Sequence, residues 1–110
     1  MNDDAQLYDL IEKEVLSFSE VSRFPDASLT ENIQAALGMD LLNPGIRVSS
    51  DDEVLTIQLE IIVYYGVNIP QLCYDIQTKV RKNIEETAGL EIKAVNIRVV
   101  GIDEKNDTQE

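Results

Sequence analysis

From Glu53 to Tyr65 the apolar side chains alternate. Leu55, Ile57, Leu59, Ile61, Val63 and Tyr65 share one parity, and Val54, Thr56, Gln58, Glu60, Ile62 and Tyr64 the other. A period of two predicts a long strand with its odd-numbered face buried. Upstream, Leu7, Leu10, Ile11, Val15, Phe18 and Val21 recur at steps of three and four, which predicts an amphipathic helix from Ala5 to Val21, broken at Phe24-Pro25-Asp26. A short second helix is expected from Leu29 to Leu37, with Ser28 or Thr30 as its cap and Gly38 as its stop. Asn43-Pro44-Gly45 reads as a turn, Ile46-Arg47-Val48 as a short strand, and Ser49 to Asp52 as a polar turn. Downstream, Ile69, Leu72, Cys73, Ile76, Val80 and Ile84 line one side of a helix that ends near Thr87. A last strand runs from Ala94 to Ile102, with Val95, Ile97 and Val99 on one face.

The order helix, helix, strand, strand, helix, strand predicts an α/β (α+β) two-layer sandwich, a small mixed sheet with its helices on one face. The closing strand–helix–strand unit implies parallel outer strands. Residues 1–102 read as a single domain and 103–110 as a disordered acidic tail.

Composition narrows the chemistry. The 110 residues carry a net charge of −12, divided as −10 over residues 1–60, +1 over 61–102 and −3 over 103–110. An acidic front half repels phosphate backbones, and no GXXG loop accompanies the fold, so no nucleic-acid partner is expected. The acidic surface serves solubility or docks a basic protein. No apolar run reaches the roughly 20 residues of a membrane span. The acidic start, Met1-Asn2-Asp3-Asp4, lacks the regions of a signal peptide, so the expected location is the cytoplasm. The Asn106-Asp107-Thr108 sequon is then a chance match.

Histidine is absent, which removes the usual catalytic triads and most transition-metal sites. Cys73, the single cysteine, falls at an apolar helical position and reads as a buried, inert thiol. Asp51-Asp52-Glu53 lacks the ligand spacing and central glycine of a calcium loop. No catalytic, cofactor-binding or metal residue is therefore expected. The rival enzyme reading draws on Tyr64, Tyr65, Asn68, Glu60 and Asp75, and needs burial to separate the carboxylate pKa values. Glu60 lies on the polar strand face, against that reading.

The stretch YYGVNIPQL, residues 64–72, joins strand to helix. Gly66 turns the chain, Asn68 offers a cap and Pro70 suits the first helical turn, while Gly89 ends the helix. Asp75 with Lys79, Arg81 with Glu85 and Lys82 with Glu86 are spaced four apart and read as a solvated face. If the two long strands are parallel neighbours, one register sets Gln58 beside Asn96, Glu60 beside Arg98, Ile62 beside Val100 and Tyr64 beside Ile102. Ile62, Tyr64, Val100 and Ile102 then form an apolar patch on the outer sheet face, rimmed by Val67. That patch is the candidate surface for a protein partner or a second copy of the chain.

Two segments carry a family resemblance. Glu60 to Pro70 (EIIVYYGVNIP), followed by an amphipathic helix, Thr87-Ala88-Gly89-Leu90 and Val95 to Gly101 (VNIRVVG), resembles the alkaline shock protein family of Gram-positive bacteria. The resemblance covers residues 53–102. It implies a non-enzymatic cytoplasmic protein of envelope stress response and homeostasis, held near the membrane through an anchored protein partner. The alternative is a small regulatory or ligand-binding domain that modulates a metabolic enzyme.

Overall fold

The computed structural model describes residues 2–26 and 44–105. In chain order they form helix α1 (Asn2–Leu16), strands β1 (Val21–Arg23), β2 (Ile46–Asp51) and β3 (Val54–Tyr64), helix α2 (Ile69–Ala88) and strand β4 (Glu91–Asp103). The helix expected at Leu29 to Leu37 lies outside the described residues, as does the tail beyond Lys105.

β3 is the spine. Its alternating pattern buries Leu55, Ile57, Leu59, Ile61 and Val63 against Leu72, Ile76, Val80 and Ile84 of α2. Ile11 and Val15 of α1 join the same core. Both helices thus cover one face of the sheet, as the element order implied. β3 pairs in parallel with β4 along one edge. Along its other edge it pairs antiparallel with β2 over residues 54–59 and with β1 at residues 62 and 63.

β1 corrects the expected first helix, which ends at Leu16 and does not reach Val21. The Phe18 to Val21 step satisfies a helical period, but the amide of Val21 bonds to the Phe18 carbonyl at 3.0 Å, and Val21 pairs with Val63. Three residues are too few to show a period of two, so the strand was hidden in the helical pattern.

β2 and β4 are longer than expected. β2 continues to Asp51 and closes on β3 through Asp52 and Glu53, both at positive φ (58° and 68°). β4 starts at Glu91 and takes in Asp103, so the first residue assigned to the tail is a strand residue.

The β3–β4 register agrees with expectation at Gln58–Asn96 and Glu60–Arg98, and then shifts. Ile62 pairs with Gly101 and Tyr64 with Asp103. Val100 is the extra residue, and Lys93 is a second one near the strand start. Each bulge inserts one residue, so Ile92, Val95, Ile97, Val99 and Ile102 all pair with the core parity of β3. Their spacing of three, two, two and three is the sequence trace of those bulges.

Candidate functional site

The ends of β3 and β4, together with the start of α2, make the candidate surface. The strand-to-helix junction is built as its residues suggested. Gly66 has φ of 92° and Asn68 Oδ1 accepts from the Gln71 amide at 3.1 Å. Pro70 stands in the first turn, and Gly89 closes α2 in the left-handed conformation at φ 69°.

The expected outer patch does not assemble. Ile62 is buried, 5 % exposed, in the row that runs from Arg23 to Gly101. The missing side chain at Gly101 leaves its space to Ile62: a Cβ there would lie 3.3 Å from Ile62 Cγ1. Tyr64 is half-buried, with Lys105 Nζ 5.3 Å from its ring centre. Val67 packs on the core and is not a rim residue. Val100 is exposed at its bulge, whereas Ile102, 55 % exposed, pairs with Val63 on the helix-covered side of the sheet. The bulge reverses the parity on which the patch depended.

A polar clamp takes the patch's place. Asp103 Oδ2 accepts from the Ser22 hydroxyl at 2.6 Å and from Arg23 Nε at 3.1 Å, tying β4 across β3 to β1. The Ser22 hydroxyl first, and then the Arg23 guanidinium, hold the Asp103 carboxyl below the usual carboxylate range. Arg98 and Glu60 lie 3.9 Å apart with Arg98 largely in solvent, so the pair adds little stability. The apolar groups left open at this end are Tyr65, 76 % exposed, with Val100 and Ile102. Tyr65 was assigned to the buried parity, but β3 ends at Tyr64 and the turn at Gly66 carries Tyr65 out of the sheet.

The side chains read as a solvated helix face have tertiary partners. Gln77 Nε2 donates to the Val95 carbonyl at 2.9 Å and Arg81 to the Ile92 carbonyl at 2.6 Å, while Glu85 accepts from the Ile92 amide at 3.2 Å. Spaced one turn apart along α2, they occupy the outer edge of β4 near its start. Lys79 reaches α1, 3.7 Å from Glu14 and 5.3 Å from the Phe18 ring centre. Asp75 accepts from Gln71 at 2.9 Å. Cys73 is half-buried and not fully enclosed, and burial pushes its thiol pKa up, away from reactivity.

Among the described residues no three or more Cys, Asp and Glu side chains gather as a metal set, and no helix is long and apolar enough to cross a membrane. An open cleft of about 670 Å³ lies at the opposite end of the sheet, among Tyr8, Leu10, Leu55, Ala88 and Leu90. The Tyr8 hydroxyl there accepts from the Val48 amide at 3.2 Å, which is a structural role.

A sequence model of the alkaline shock protein 23 family, described as having a cell envelope-related function, matches residues 14–104. The chain is 31 % identical over 74 residues to the uncharacterized protein YloU of Bacillus subtilis, covering 67 % of this chain and 62 % of that one. It is 32 % identical over 66 residues to the uncharacterized protein YqhY of the same organism, covering 60 % and 49 %. A Streptococcus pyogenes protein, the uncharacterized Spy1614, is 28 % identical over 85 residues, covering 77 % and 70 %. The match thus spans between about half and about two thirds of the length of the two Bacillus relatives. No solved structure matches.

Proposed function

The chain belongs to the alkaline shock protein 23 family, of cell envelope-related function, and from that premise we propose that it is a non-catalytic protein of envelope stress homeostasis that works by protein contact in the cytoplasm. Its partner is a membrane-anchored protein, and the contact surface is the end of the sheet around Tyr65, with Val100 beside it. The observation that carries this reading is the exposure of Tyr65 at a rigid junction. A tyrosine 76 % exposed between the end of β3 and a capped helix is presented on well-fixed backbone. Aromatic anchors of that kind dominate protein interfaces because they bury much area for little lost side-chain freedom. The residues at the junction each have a structural task, and the side chains around it offer no paired acid and base, which speaks against catalysis.

The test is capture from the native cell with membranes retained, using the full chain and a Tyr65→Arg variant. The wild-type chain should recover a membrane-anchored protein, and Tyr65→Arg should lose it while keeping the wild-type melting temperature. Equal recovery by the folded variant would remove Tyr65 from the interface. Reproducible recovery of a metabolic enzyme instead would overturn the envelope reading.

A further inference from the structure

The free edge of β4 is built in two halves. Asp103 accepts from the Tyr65 amide at 2.8 Å, so its backbone faces β3, and the alternate residues face away. The outward set is Ile92, Val95, Ile97, Val99 and Ile102, the same residues that lie on the helix-covered side. Gln77, Arg81 and Glu85 satisfy Ile92 and Val95. Among the described residues no side chain reaches the backbone of Ile97, Val99 or Ile102. An edge strand left open with apolar side chains is a template for another strand.

We propose that this open half pairs antiparallel with the same half of a second copy, on a two-fold axis through Val99. Ile97 then faces the partner's Ile102, and Val99 faces the partner's Val99. The Val100 bulge is accommodated, because Val100 and Gly101 together stand opposite the partner's Arg98, two residues against one. Gly101 has no side chain to obstruct that arginine. Arg98 comes diagonally beside the partner's Asp103, within reach of a long side chain, and Asn96 comes directly opposite it. Two symmetric acid–base contacts form, replacing a solvent-exposed Arg98 whose nearest carboxylate is 3.9 Å away. On the other face the pairing buries Ile102 in an apolar row. The ladder ends of its own accord, since the next outward carbonyl, that of Val95, is already bonded to Gln77. A closed two-fold pair therefore results, and not an open filament. The pairing stands apart from the envelope partner, whose surface centres on Tyr65.

Sedimentation of the full chain over a concentration series tests it. Wild type should form a dimer, and Ile102→Lys, altered at an exposed edge position, should raise its dissociation constant at least about tenfold with an unchanged melting temperature. In a Cys73→Ser background, Val99→Cys should oxidise to a disulfide-linked dimer far faster than Gln71→Cys, which lies on an exposed helix face. Monomeric wild type up to about 1 mM overturns the proposal. So does a dimer in which Val99→Cys links no faster than Gln71→Cys, or one that a folded Ile102→Lys leaves at wild-type affinity. Tyr65→Arg should not alter the dimer, which separates this outcome from loss of the envelope contact.

Discussion

Gly45 and Gly66 both hold positive φ, but they are not equivalent. At Gly66 a Cβ would meet nothing within 4 Å, so Gly66→Ala carries only the backbone strain of about 1–2 kcal/mol. At Gly45 a Cβ would lie 2.8 Å from the Glu60 carbonyl oxygen and 2.9 Å from Phe24 Cδ1, where the chain passes between β1 and β2 along one edge of β3. Gly45→Ala therefore adds a clash to the strain and should cost more than Gly66→Ala, at least about 2 kcal/mol. Urea denaturation of both variants checks the order, and an unchanged Gly66→Ala would mean that the junction is ordinary loop. Asp52 and Glu53 pose the inverse case: both hold positive φ with a full side chain in a two-residue hairpin. Replacing them by Asn-Gly, which that turn favours, should raise stability by about 1 kcal/mol in the same assay.

At the scale of elements, β3 decides whether the chain folds. Leu59 is 1 % exposed within the core row, and Leu59→Asp exchanges a buried apolar side chain for an unpaired charge. Domains of this size have a net stability of roughly 5–15 kcal/mol, so the variant should not fold cooperatively, which circular dichroism would show. The Asp103 clamp joins three strands and responds to pH. Its folded pKa lies below the unfolded value, so its contribution is complete above the ordinary carboxylate range and is lost as pH falls through the lowered value. Asp103→Asn should be less stable than wild type at neutral pH, and the gap should close in acid. Melting curves from pH 7 to about pH 2 would show the convergence.

For the whole molecule, charge and shape divide the labour. The front half carries most of the negative charge, while β3, α2 and β4 form the rigid unit that presents Tyr65 and the open strand edge. Function by contact leads us to expect that protein purified without added ligands retains no stoichiometric small molecule. Native mass spectrometry checks this directly, and a retained ligand at unit occupancy would redirect attention to the cleft beside Tyr8.

The alternation of Leu55 to Val63 and the helical spacing of Leu72, Ile76, Val80 and Ile84 sufficed to identify the core and the two layers. Burial of one face leaves a regular imprint on composition, and local geometry dictates the glycines, Asn68 and Pro70 at the element ends. The outer face was less legible. Whether Ile62, Tyr64, Val100 and Ile102 share a patch depends on a one-residue bulge, and one residue of shift reverses which face a strand residue occupies. Lys79, Arg81 and Glu85 fit a solvated helix face by spacing alone; only the packed α1 and the edge of β4 gave them partners. Sequence determined what is buried here, because burial is periodic. The tertiary structure decided what is presented, because exposure at the sheet's end rests on register, bulges and where each strand stops.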